Sequence, residues 1–148
     1  MGVTFQVFAV SPSVLGELQA DSEAADEYCQ SRYGSDPAGE SIWLDKSGMG
    51  ILEAFGVVTG EAQPPALWIL GDGQMQIGSS PCPFLTADQL ARVAEWASRV
   101  TDEEFRTLAG SNVLDTDVDY LSHFFGQLRD FYQRASSSSK AAFTYISY

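Results

Sequence analysis

Bases are scarce in this sequence. Eight Lys and Arg residues face 20 Asp and Glu residues, for a formal net charge of −12 over 148 residues. A nucleic-acid-binding surface needs cations to neutralise phosphates, so this composition excludes that partner class. An anionic membrane surface is repelled for the same reason. Long apolar runs are missing too. No stretch approaches the roughly 18 apolar residues that read as a membrane span. The N-terminus, Met-Gly-Val-Thr-Phe-Gln-Val-Phe, has neither the basic start nor the long apolar run of a signal peptide, and Gln6 stands where a myristoylation signal wants Ser or Thr. A cytoplasmic location is the expectation.

Cysteine and histidine are almost absent. Cys29 and Cys82 are the two cysteines. Two distant cysteines make neither a zinc site nor a disulfide framework, and two reduced, buried thiols are expected, with a single bridge left open to geometry. His123 is the sole histidine. Its neighbour Ser122 cannot face it on a helix, so no triad forms there and a surface or interface position is expected. Asp115, Asp117 and Asp119 imitate the start of a calcium loop. However, Tyr120 and Phe125 stand where that loop needs Gly and Glu. Helix capping accounts for these acids. Gly71-Asp72-Gly73 lacks the Lys-Ser/Thr of a phosphate loop and the third Gly of a dinucleotide fingerprint, and no Gly-x-Ser-x-Gly occurs. No catalytic residue, metal ligand or cofactor site is assigned.

What is present describes one globular domain spanning 1–148. The hydrophobic fraction is 45%, enough for a core, and a chain this long buries about 70% of its unfolded surface. Val3 to Val10 reads as a strand. Val3, Phe5, Val7 and Ala9 share one face, and a mixed set of Thr4, Gln6, Phe8 and Val10 shares the other, so both faces are expected to be covered. Ser11-Pro12 opens a helix with Val14, Leu15 and Leu18 inward. A second helix is expected from about Ser22 to Tyr33, ending at Gly34. Asp36-Pro37-Ala38-Gly39 is turn chemistry. Asp21 to Glu40 holds six acids and one base, Arg32.

Ser41 to Leu44 is a short apolar run. Asp45-Lys46-Ser47-Gly48 after it is placed to cap a helix running to Phe55, though Gly48, Gly50 and Gly56 each weaken that helix by about 1 kcal/mol. Gly60 to Pro65 is a loop. Asp72-Gly73 between Ala66–Leu70 and Gln74–Ile77 signals a hairpin, with a Gly-capped helix over Ala66–Gly71 as the competing reading. Thr86 and Gln89 form a capping box. Leu90, Val93, Ala94 and Ala97 follow as its apolar stripe. Thr101 to Glu104 is a second box, opening a helix with Phe105, Leu108 and Ala109 that Gly110 should stop. The longest helix is expected from Thr116 to Ala135. Its seam of Val118, Leu121, Phe125, Leu128, Tyr132 and Ala135 is about 27 Å long. Ser136 to Ser139 is a connector, and Ala142 to Ile146 a closing strand. The fold class is therefore α+β, with a small, mostly antiparallel sheet that includes both terminal strands, packed with several helices.

Several segments together resemble the YfbM-like family, a bacterial domain of unknown function. They are the first strand with Ser11-Pro12 and its helix, Leu44-Asp45-Lys46-Ser47 with Thr59-Gly60 after it, and Leu70-Gly71-Asp72-Gly73 leading to Ile77-Gly78. Pro83-Phe84-Leu85-Thr86 and the aromatic helix Leu121–Tyr132 with its terminal strand complete the set. The resemblance implies an α+β fold and no activity. The chain departs from the family pattern after the Asp-Lys pair. Gly48 and Ile51-Leu52-Glu53 stand where similar proteins show a Trp and then a His, and the spacing from Asp45 to Gly60 is longer.

The expected function is a non-catalytic acidic module, of immunity or antidote type, that docks on a basic protein partner. The alternative is a small-molecule-binding protein or cryptic enzyme with a ligand pocket near Trp43, Asp45, Lys46 and Trp68. Against that stands a structural role, with Asp45 capping the next helix, Lys46 in a salt bridge and Trp43 in the core.

Overall fold

Strand β1 (Thr4–Val10) has both faces buried, and the rest of the molecule is arranged around it. The computed structural model describes residues 2–34, 40–114 and 117–148. The turn read at Asp36–Gly39, Asp115 and the helix start at Thr116 lie outside the described residues.

Helices α1 (Pro12–Ala20) and α2 (Ser22–Ser31) follow β1. Next come β2 (Ser41–Asp45), α3 (Ser47–Ala54), a single 3-10 turn (Ala66–Trp68) and the hairpin β3 (Gly73–Ile77) to β4 (Ser80–Leu85). Helices α4 (Ala87–Ser98), α5 (Asp102–Asn112) and α6 (Val118–Ser137) lead to β5 (Ala141–Ser147). The strands form one antiparallel sheet in the order β2-β1-β5-β4-β3. The two terminal strands pair along their full length, from Thr4 opposite Ser147 to Val10 opposite Ala141. This is the single α+β domain that the sequence pattern implies.

The sheet divides two cores. Phe5, Val7 and Ala9 face the larger one, with Leu85, Ala142 and the apolar stripes of α3 to α6. Phe8 and Val10 face the smaller one, with Leu15, Leu18, Ala25, Cys29, Phe143 and Tyr145 under α1 and α2. Gln6 explains why that second face reads as mixed. Its side chain is buried. Its amide donates to Arg32 O and Ser41 Oγ, both at 3.0 Å, and accepts from Gly34 N at 3.1 Å. A buried amide so fully paired ties β1 to the end of α2 and the start of β2 at little desolvation cost.

Local signals set most element ends. Ser11 accepts from Val14 N and caps α1, with Pro12 in its first turn. Thr86 and Gln89 make both halves of a capping box on α4. Thr101 caps α5 by accepting from Glu104 N at 3.1 Å. Asp117 caps α6 by accepting from Tyr120 N at 3.1 Å. The expected seam of α6 is buried from Leu121 through Ala135.

Four expectations are corrected. Asp72-Gly73 is not a hairpin turn, because the chain before it is not a strand. The carbonyls of Ile69 and Leu70 are taken by side chains, Tyr132 Oη donating to the first at 2.6 Å and Thr144 Oγ1 to the second at 2.7 Å. The hairpin turns instead at Gly78-Ser79, with Gly78 at φ 61. Gly110 does not stop α5. The helix runs on to Asn112, whose amide donates to Ala54 O at 2.8 Å and anchors the last turn to α3, while Leu108 is exposed. Helix α6 continues through Ser136 and Ser137, which shortens the connector. Helix α2 ends at Ser31 rather than Tyr33, and Gly34 follows at φ 69.

The glycines of α3 oppose helix propensity but are required by packing. A Cβ on Gly48 would overlap the Phe5 ring, and one on Gly50 would sit 2.6 Å from the Leu121 side chain. Helix α3 therefore lies directly on β1 and α6, where any larger residue would push it away.

Candidate functional site

Trp43, Asp45 and Lys46 come from the edge strand β2 and the bend that follows it. The pairing of β2 with β1 shifts register between Phe5, opposite Asp45, and Gln6, opposite Trp43. Leu44 is thus the extra residue of a bulge, and a bulge re-aims the side chains beside it. Asp45 is held at φ 53, a left-handed conformation that Asp tolerates better than most residues. It does not cap α3. Lys46 occupies the cap position and no side chain bonds there. The bend is instead closed by Ser47 Oγ donating to Leu44 O at 2.6 Å.

The carboxylate of Asp45 turns toward α6. Tyr120 Oη donates to Asp45 Oδ2 at 2.8 Å and accepts from Lys46 N at 3.2 Å. Partial burial and the hydrogen bond to Asp45 both push the Tyr120 phenol above its ordinary value. The Lys46 side chain is exposed and makes no ion pair among the described residues. Its aliphatic stem lies against Gly2. Asp45, Lys46 and Tyr120 therefore form one polar corner. Tyr120 carried no sequence signal for this role, because it lies 75 residues from Asp45 and figures in the sequence only as the residue that breaks the calcium-loop pattern.

Trp43 and Trp68 join neither that corner nor each other. The Trp43 ring packs edge-on against Tyr33 at 5.3 Å, and Tyr33 packs in turn against Tyr145, on the α1–α2 side of the sheet. Trp68 packs on the larger core, on the opposite side, with the Arg92 guanidinium 4.9 Å from its ring centroid. His123 is exposed on α6, with Nε2 3.0 Å from Gln127 Nε2. Among the described residues no group of three or more His, Cys, Asp or Glu side chains is placed to hold a metal ion. Cys29 and Cys82 are unbridged and buried. Burial pushes both thiols up, Cys29 further because Cys82 and Asp26 lie close, so neither is a ready nucleophile.

Charge is distributed unequally over the two sides. Glu17, Asp21, Glu23 and Glu27 are exposed on α1 and α2, and no Lys or Arg precedes Arg32 in the chain. The Arg32 guanidinium lies 3.7 Å from the Tyr28 ring centroid and donates to Tyr28 O. No ion pair among the described residues engages an α1 or α2 acid. On the other side Arg106 pairs with Asp119, and Arg129 pairs with Asp102 and Asp130.

One solved structure shares this arrangement. It is that of YfbM from Escherichia coli, a protein of unknown function, with a TM-score of 0.63, covering 97% of this chain and 99% of that one. The chain has the YfbM-like fold. The two sequences are 11% identical, so the likeness carries the architecture and no residue role. No protein-family model matches the chain, and no curated protein matches it in sequence. The YfbM-like fold also gives the departure at Gly48 a physical setting. The Phe5 ring lies against Gly48, and Ile51 is buried in the larger core, so a Trp and a His at those places would need a different α3 packing. No helix of the described residues is long and apolar enough to cross a membrane.

Proposed function

We infer that this chain is a non-catalytic interaction module of the bacterial cytoplasm whose acidic α1–α2 face docks on a basic protein. An immunity or antidote protein that masks a basic partner is the concrete form of this reading. The observation that carries it is the one-sided supply of bases: the acids of α1 and α2 are exposed without ion-pair partners among the described residues and no Lys or Arg precedes Arg32, while on the opposite side Arg106 and Arg129 pair with Asp119, Asp102 and Asp130. Unpaired surface charge of one sign costs self-repulsion and gives steering toward the opposite sign. The same charge disfavours nucleic acid and anionic membranes as partners.

The test is binding of basic proteins from a host extract at about 0.05 M and about 0.5 M salt. Capture should weaken steeply with salt and vanish in the variant E17K/D21K/E23K/E27K. A partner that binds equally at both salts, or that still binds the variant, would overturn the reading. Recovery of the chain from the periplasm would overturn the location.

A second reading, a small-molecule site or cryptic enzyme near Trp43, Asp45, Lys46 and Trp68, is supported by the left-handed Asp45 held by Tyr120 beside a Lys46 that makes no ion pair among the described residues. Conformations of this kind cluster at functional sites. The separation of Trp43 from Trp68 centres that reading on Asp45, Lys46 and Tyr120. A metabolite that raises the unfolding midpoint of the native chain but not of Lys46→Ala would favour it over the docking module.

A further inference from the structure

We propose that a cleft at the C-terminal end of α6 binds a small organic monocarboxylate, with Arg134 and Lys140 as its anion-holding residues. The cleft has a volume of about 180 Å³ and is lined by Ala9, Glu40, Phe131, Arg134, Ser138 and Lys140 among others. Past Ala9, Glu40 and Lys140 it continues into a second depression of about 160 Å³, walled by Ser11, Val14 and Tyr28. Together they form a groove across the end of the sheet, where β1 finishes and β5 begins.

The placement of the bases is the first argument. The chain has eight Lys and Arg residues. Arg106 and Arg129 are engaged in ion pairs, and Arg32 and Arg92 lie over Tyr28 and Trp68. Two of the others, Arg134 and Lys140, converge on this one cleft and make no ion pair among the described residues. A guanidinium in the last turn of α6 also complements the helix dipole. Lys140 lies beyond the helix, at the entry to β5, so that explanation does not extend to it.

The lining narrows the ligand. Ala9, Phe131 and Ala135 give an apolar floor, and Arg134 lies 6.0 Å from the Phe131 ring centroid, at the outer limit of a cation–π contact. Its planar fork is thus available to a carboxylate, which it matches in two parallel hydrogen bonds. Ser138 adds a hydroxyl. Glu40 on the wall and the −12 net charge penalise a second negative charge, which favours a monocarboxylate over a phosphate dianion. The volume falls below the roughly 300–1,000 Å³ of sites for drug-sized ligands. The fitting ligand is a short-chain acid whose carboxylate meets the bases and whose apolar end meets Phe131.

The test is a titration of the full chain, followed by amide NMR, with sodium butyrate at fixed ionic strength. Butylammonium and inorganic phosphate serve as comparison probes. Butyrate should shift the amides of Ala135, Ser138 and Lys140 saturably and more tightly than either. R134Q/K140Q should weaken butyrate by about tenfold or more, as expected for loss of charge-assisted hydrogen bonds. Glu40→Gln should tighten it by about threefold by removing a like charge. Equal response to butylammonium, tighter phosphate binding, undiminished butyrate binding in R134Q/K140Q, or weaker binding in Glu40→Gln would each overturn the proposal. The E17K/D21K/E23K/E27K variant, which removes the acidic face, should bind butyrate at least as well as the native chain, so the two proposals fail separately.

Discussion

The two sides of the sheet are built differently. On one side α3 to α6 bury a wide aromatic core, in which Phe105 and Phe125 stack at 4.5 Å and Phe55 lies against both. Surface ion pairs dress its exterior. On the other side α1 and α2 cover a smaller core and present acids without matching bases. Packing and the supply of bases therefore go together in this molecule, since every Lys and Arg except Arg32 lies from Lys46 onward. The side that carries the fold holds the three ion pairs of the described residues, beside exposed acids such as Glu95, Glu103 and Glu104 that join none of them, and the side that carries less of the fold holds no ion pair among the described residues. Under the docking proposal, such a division would let one surface serve recognition without endangering the core that holds it.

Core truncation should break the comparison most strongly. Phe125→Ala should cost about 3–5 kcal/mol in urea unfolding, and Leu15→Ala under α1 about 2–3 kcal/mol. Equal costs would mean that the sides are energetically alike. Tyr132→Phe removes the fully buried hydroxyl that donates to Ile69 O. It should cost about 1–3 kcal/mol, because that carbonyl is left without its partner.

The thin side should show its own pH dependence. The Cys29 thiol is held above its ordinary value by burial, then by Cys82 and Asp26. The unfolded thiol ionises first, near pH 8.5. Stability from this group is therefore complete below that pH. Above it, stability falls as pH rises, by up to about 1.4 kcal/mol per unit, until the folded thiol ionises too. The urea midpoint should drop between about pH 8 and about pH 10, and drop less in Cys29→Ala. The smallest effect on stability should come from the acidic face. E17K/E23K/E27K should leave stability nearly unchanged, within about 0.5 kcal/mol per site, whereas adding D21K removes the carboxylate that caps α2 by accepting from Ala24 N at 3.1 Å and should cost about 0.5–2 kcal/mol more.

Much of the fold was legible because its signals are local. The caps at Ser11, Thr86, Thr101 and Asp117 and the α6 seam depend on neighbours within a turn. The failures are non-local. Asp72-Gly73 carries a valid turn signal, but Tyr132 and Thr144 claim the backbone before it from 63 and 74 residues away. The Gly78-Ser79 turn also carried a signal, and it was masked by the stronger one nearby. Gly48 and Gly50 argued against α3, because propensity does not register that Phe5 and Leu121 lie against them. The candidate site was less legible still. Asp45 and Lys46 stood out as a charged pair, but the partner that joins them, Tyr120, and the separation of Trp43 from Trp68 depend on the finished sheet. Arg134 and Lys140 are unremarkable in sequence and meet only because α6 ends where β1 does.

The pairing of β1 with β5 has a consequence for the order in which the molecule is made. Of all the strands, β1 leaves the ribosome earliest and β5 latest, yet β5 sits between β1 and β4 and holds the sheet together. Until β5 arrives, β1 has only β2 beside it, and the β3–β4 hairpin has no sheet to join. The helices can form during synthesis, but the two cores cannot be divided from each other until the last strand is threaded between them. Such distant pairing slows folding and leaves the apolar faces of β1 open to chaperones in the interval.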